Sequence, residues 1–184
     1  AELNMRATKA ATGLDSIGVQ PGDIIALYLR NDFPFFEAST AAGLLGVYPT
    51  PVNWHATPEE ARYIFENSGA KVIVIHTDLY ESVRSAIPAG VQVLTVQTPP
   101  EIAAAYGIAP QQGTPAGTLD WSAWLEGFAP WAGETRQSPG TIIYTSGTTG
   151  NPKGALYSHR STMIHAYASA LPDALHMGER EVIL

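Results

Sequence analysis

Thr141-Ile142-Ile143-Tyr144-Thr145-Ser146-Gly147-Thr148-Thr149-Gly150-Asn151-Pro152-Lys153-Gly154-Ala155 decides the reading of this chain. An apolar, strand-like run (Ile142, Ile143, Tyr144) opens into a segment with three glycines, four hydroxyl side chains and one lysine. Glycine lets the backbone take positive φ and approach a ligand closely. Successive N–H groups in such turns form an anion-binding concavity. Hydroxyls add donors, and their oxygens suit a hard cation such as Mg²⁺, while Lys153 brings a mobile positive charge. A glycine- and hydroxyl-rich stretch behind a strand is often only a loop. Here the order of strand, glycine loop, Pro-Lys-Gly and a second strand-like segment (Ala155, Leu156, Tyr157) favours a phosphate cradle.

Three better-known motifs fail on these residues. A Walker-type loop needs Ser or Thr after its lysine, whereas Gly154 follows Lys153. A nucleophile elbow at Ser146 needs glycine two residues earlier, where Tyr144 stands. A dinucleotide fingerprint should follow the first strand, but Asn31-Asp32-Phe33-Pro34 stands there.

The segment instead closely resembles the phosphate-binding signature of the adenylate-forming superfamily, which includes acyl-CoA synthetases, luciferases and peptide-synthetase adenylation domains. The continuation Tyr157-Ser158-His159-Arg160-Ser161 looks most like the fatty acyl-CoA synthetase branch. Pro51-Val52-Asn53 followed by Thr57-Pro58-Glu59-Glu60 is similar to another stretch common in the family, and Trp54-His55-Ala56 departs from it. The resemblance implies an enzyme that activates a carboxylic acid with ATP as an acyl-adenylate and transfers it to coenzyme A. It further implies that Thr145, Ser146, Gly147, Thr148, Thr149, Gly150 and Lys153 hold the β- and γ-phosphates and that Thr145 touches Mg²⁺. It assigns no catalytic side chain within these residues. Relatives in the superfamily continue into a metal-binding glutamate and a small C-terminal domain with a catalytic lysine. Two alternatives stay open: an aryl- or amino-acid-adenylating relative, or a nucleotide-binding module without turnover.

Composition bounds the rest. The 184 residues are 45% hydrophobic and 15% charged, which suits a globular chain with a sizeable core. A net charge of −7 argues against a nucleic-acid groove or an anionic membrane surface as partner. With only three lysines (Lys9, Lys71, Lys153), one inside the glycine loop stands out. Cysteine is absent, which removes disulfides and thiolate chemistry and suits a cytoplasmic protein. No apolar run has the length of a transmembrane segment. The helical pattern beginning at Ala1-Glu2-Leu3 and the strand-like Glu181-Val182-Ile183-Leu184 are expected to be cuts in a longer protein.

Upstream of the loop the pattern alternates. Leu3, Ala7, Ala10, Ala11 and Leu14 have helical spacing, and residues 24–29 read as a buried strand. Residues 33–45 read as a helix stopped by Gly46; 47–52 is extended, and Pro49 and Pro51 push it to a sheet edge or to a half-regular strand. Thr57-Pro58-Glu59-Glu60 starts a helix to about residue 67, followed by a strand over 71–75. Thr77 or Asp78 is expected to cap a helix to about residue 87, before a strand over 91–96. This alternation predicts an α/β fold with a mostly parallel sheet and flanking helices, the N-terminal portion of an adenylate-forming fold.

Residues 98–140 carry six of the fourteen prolines and read as a loop-rich connection with one short helix over 120–126. Trp121, Trp124 and Trp131 read as a surface-covering apolar cluster. The expected organisation is an alternating unit over 1–97, this connection over 98–140 and the loop segment over 141–184, all within one large domain. Ser158 is expected to cap a helix from 159 to about 170. Of His55, His76, His159, His165 and His176, none has metal-ligand spacing, and His159 is expected to organise the phosphate loop.

Overall fold

The computed structural model describes residues 1–109, 113–145 and 151–170. The alternation folds as β1 (Ile24–Tyr28), β2 (Tyr48–Pro51), β3 (Val72–His76), β4 (Gln92–Val96) and β5 (Leu119–Asp120), all parallel, in the order β2-β1-β3-β4-β5. The proline-bearing β2 takes an edge, where no neighbour needs the N–H that Pro49 and Pro51 lack. The inner strands are apolar at consecutive positions because both faces are covered. Ile25, Leu27, Val72, Val74, Leu94 and Val96 enter one core, and Ala26, Tyr28, Ile73, Ile75 and Val93 enter the other.

The first core lies under α1 (Glu2–Ser16), α2 (Phe33–Leu45) and α6 (Trp121–Glu126). Ala7, Ala10 and Ala11 of α1 and Ala38, Ala41 and Ala42 of α2 are buried, small enough to let the two helices pack closely. Trp121 is wholly buried here, and its indole N–H donates to Glu37 Oε2 at 2.7 Å. Arg6 neutralises the same carboxylate from α1, so the buried Glu37 is paired and hydrogen-bonded at both oxygens. Trp124 and Trp131 pack against this core as partly buried covering residues, as expected, whereas Trp121 lies inside it and does not cover its surface.

The second core lies under α3 (Pro58–Ser68) and α4 (Thr77–Val83), which a short 3₁₀ turn (Arg84–Ala86) extends. The start of α3 is a capping box: Glu60 N–H donates to Thr57 Oγ1 and Thr57 N–H to the Glu60 carboxylate. At α4 the sequence reading is corrected. His76 occupies the N-cap position without a side-chain cap, because the oxygens of Thr77 and Asp78 serve other elements. Thr77 donates to Val96 O at 3.0 Å, and Asp78 takes Arg30.

Residues 98–140 hold more than the one short helix expected. Besides α6, capped by Asp120 as the sequence suggested, there are α5 (Pro100–Tyr106) and the two-residue β5 that joins the sheet. Two further strands, β6 (Thr141–Thr145) and β7 (Lys153–Tyr157), pair antiparallel, and β6 lies against β2. The last described element is α7 (His159–Ala170), where Ser158 Oγ accepts from Ser161 N–H at 3.2 Å as a cap.

Candidate functional site

The glycine-loop segment joins two antiparallel strands instead of leading into a long helix. Register places Thr145 directly opposite Lys153, and Tyr144 opposite Gly154. The first and last residues of the expected phosphate-binding set therefore meet across one hairpin, both exposed. Ser146, Gly147, Thr148, Thr149 and Gly150 lie outside the described residues.

Two glycines sit tightly in the hairpin, Gly154 near its loop end and Gly140 at its open end. A Cβ on Gly154 would stand 3.2 Å from Ile142 Cγ2 and from the Tyr144 ring, a tight contact that these β6 side chains would have to yield to by a few tenths of an ångström. Gly140, at φ +108°, brings the start of β6 so close to the end of β7 that a Cβ would lie 2.2 Å from Tyr157 O. Tyr144 packs against the second core, and its hydroxyl donates to Asn67 Oδ1 at 2.7 Å, linking β6 to the end of α3. Burial and the neighbouring Tyr63 push the Tyr144 phenol above its ordinary value, which keeps it a donor at neutral pH. A cavity of about 170 Å³ beside the hairpin is lined by Asn53, Glu60, Ile64, Tyr144 and Pro152, among others.

His159 opens α7 next to the end of β7 and is exposed. Among the described residues no group of three or more His, Asp or Glu side chains could hold a metal ion. Among the described residues, the loop end of the hairpin offers a cation the hydroxyl oxygen of Thr145. One such oxygen donor fits an ion carried in on phosphate oxygens, as Mg²⁺ commonly is.

A second polar cluster, unread in the sequence, sits at the carboxyl ends of β1, β3 and β4. Arg30 grips Asp78 through two hydrogen bonds of 3.0 and 2.7 Å, with side chains 7% and 8% exposed. Its guanidinium lies 4.7 Å from the Trp54 ring centroid and 5.4 Å from that of Tyr106. Burial pushes the Asp78 carboxyl up, but hydrogen bonds from Arg30 and Thr98, and the positive charge of Arg30, outweigh it and hold the carboxyl below its usual value. The Arg30 backbone N–H donates to His76 Nδ1 at 3.1 Å, so that nitrogen carries no proton and Nε2–H donates to Asp32 Oδ2 at 2.8 Å. The pairing is incomplete, since Arg30 Nε and Asp32 Oδ1 are buried without a hydrogen-bond partner; the cluster ties the ends of three strands to α4, α5 and the Trp54 loop.

A sequence profile of the AMP-binding enzyme family matches residues 1–184. The chain belongs to the AMP-binding enzyme family. Among curated members, it is 27% identical to the medium-chain-fatty-acid–CoA ligase of Ectopseudomonas oleovorans, over 100% of this chain and 33% of the relative. To 4-coumarate–CoA ligase 2 of Oryza sativa subsp. japonica it is 30% identical, again over 100% of this chain and 33% of the relative. The chain thus spans about a third of the length of the curated relatives it matches. The fold matches that of the Brucella canis acyl-CoA synthetase with a TM-score of 0.75 at 20% identity, covering 98% of this chain and 31% of that one. The family fold is therefore present in part, as a mostly parallel α/β unit with flanking helices. No helix among the described residues is long and apolar enough to cross a membrane.

Proposed function

We propose that this chain is the N-terminal part of an ATP-dependent acyl-CoA synthetase acting on a fatty acid. The observation that carries the reading is the β6–β7 hairpin, which sets Thr145 opposite Lys153 at the two ends of the glycine-rich loop. In the proposed reaction a substrate carboxylate oxygen attacks the α-phosphorus of ATP, and the bond from that phosphorus to the bridging oxygen of pyrophosphate breaks. The thiol of coenzyme A then attacks the acyl carbon of the resulting acyl-adenylate, and AMP leaves with the electron pair of the broken C–O bond.

The role of this chain is charge management as pyrophosphate departs. Thr145, Ser146, Gly147, Thr148, Thr149, Gly150 and Lys153 are proposed to hold the β- and γ-phosphates, with backbone N–H groups and hydroxyls as fixed donors and Lys153 as a point charge. Thr145 is the residue proposed to meet Mg²⁺, which when bound supplies neutralisation of the triphosphate oxygens. Residues 1–97, 98–140 and 141–184 are read as an alternating β/α unit, a connection and the phosphate-loop segment of one larger domain. A cytoplasmic location is part of the same reading.

A second reading, an aryl acid as substrate, draws support from the 4-coumarate–CoA ligase relative. Pyrophosphate release by the full-length protein, measured across fatty, aromatic and amino acids with ATP and coenzyme A, separates the two. Fastest release with fatty acids is expected; a preference for aromatic acids favours the second reading, and release with no acid of the panel contradicts both.

A further inference from the structure

We propose that Tyr144 and Asn67 are a positioning pair that sets the geometry of the phosphate-binding hairpin, so that α3 acts as the reference from which Thr145 and Lys153 are aimed. This rests on the reading of residues 145–153 as a phosphate-binding loop. Side chains alternate along a strand, so Tyr144 and Thr145 point to opposite faces of β6. Whatever fixes the rotation of Tyr144 about the strand axis also fixes the direction of the Thr145 hydroxyl.

Two contacts fix it. The Tyr144 ring packs against the second core, and its hydroxyl donates to Asn67 Oδ1 at 2.7 Å across 77 residues of sequence. On the partner strand Gly154 faces the Tyr144 ring, so closely that a Cβ there would stand 3.2 Å from it, and Lys153 comes immediately before. The one tyrosine therefore constrains both ends of the loop: Thr145 through the next peptide unit, and Lys153 through the strand its ring presses on. The anchor itself is firm. Asn67 stands in the last turn of α3, whose first turn is held by the Thr57–Glu60 capping box and whose buried face is Ala61, Ile64 and Phe65.

Asn67 is solvent-exposed, so the bond competes with water and adds little to global stability. Its effect falls on geometry, and geometry is what a fixed set of donors contributes to a developing pyrophosphate. Neither residue is placed against substrate; both act through the hairpin.

The test uses the full-length protein with Tyr144→Phe, Asn67→Ala, their combination, and Asn67→Asp, which keeps an acceptor. Single-turnover formation of acyl-adenylate is expected to slow about fivefold in each of the first two, by no further factor in the combination, and to recover in Asn67→Asp. KM for the acid and the thermal midpoint should stay near the parent's, which a merely structural role would not explain. Parent rates in both single variants, or effects that multiply in the combination, would overturn the pairing. A second readout does not need turnover: hydrogen exchange in peptides covering β6 and β7 should rise in Tyr144→Phe and Asn67→Ala, while β3 stays protected. Unchanged exchange in the hairpin refutes the pairing even if the parent proves unable to form adenylate, an outcome that would count against the proposed reaction alone.

Discussion

Replacing Asp78 with Ala should be among the most damaging single changes in the described part of the molecule. The carboxylate is 8% exposed and meets both terminal nitrogens of an Arg30 that is itself 7% exposed. Removing it leaves the Arg30 guanidinium desolvated, with only the faces of Trp54 and Tyr106 for compensation. Breaking a buried pair from one side costs about 3–5 kcal/mol, and the two cation–π contacts, already made in the parent, add nothing new when the carboxylate is lost. A loss of about 3–5 kcal/mol is expected, a large share of the roughly 5–15 kcal/mol of a typical domain. Arg30→Met with Asp78→Leu removes both charges together and should cost less than Asp78→Ala alone. Urea unfolding followed by tryptophan fluorescence measures this, with Trp54 as a probe in contact with the pair. A loss under about 1 kcal/mol for Asp78→Ala, or a double variant as unstable as the sum of the two single changes, would refute the claim that the pair is a buried, mutually dependent unit.

Two further outcomes follow from the same geometry. Because the folded Asp78 carboxyl lies below its ordinary value of 3.8, its contribution to stability is complete above that value and is lost as pH falls through the folded value. The acid limb of a plot of thermal midpoint against pH should therefore flatten in Asp78→Asn, and an unchanged limb would deny the carboxylate this role. Gly140→Ala must place a methyl 2.2 Å from the Tyr157 carbonyl oxygen at φ +108°. With about 1–3 kcal/mol for the backbone alone, plus a clash that no side-chain rotation relieves, β6 and β7 should lose hydrogen-exchange protection while β1 and β3 keep theirs. Retained protection in β6 and β7 would contradict that packing.

Local signals in the sequence carried much of the architecture. The run Thr57-Pro58-Glu59-Glu60 holds its start signal within four residues, and the structure shows the complete capping box there. Residues 33–45 were legible because Gly46 stops an alanine-rich run. The strand–loop–strand order around Lys153 likewise survived as a hairpin, because the two strand-like runs lie close in sequence. What escaped was either too short or too distant. β5 is two residues long, and α5 buries no side chain, so neither leaves a periodic apolar pattern to detect. Arg30 and Asp78 are 48 positions apart and meet only because β1 and β3 are parallel neighbours. Asp78 was legible as an acid at a helix start, but its preferred partner came from another strand end, and that choice is tertiary.

The central claim, that the hairpin serves the departure of pyrophosphate, meets its most direct test in single-turnover formation of acyl-adenylate by the full-length protein with Thr145→Ala and Lys153→Ala. The account predicts a rate lower on the order of 10²-fold for Thr145→Ala and by a smaller factor for the mobile lysine. Transfer from preformed acyl-adenylate to coenzyme A should stay at the parent rate. Adenylate formed at the parent rate in both variants, with only the thioester step slowed, would contradict it.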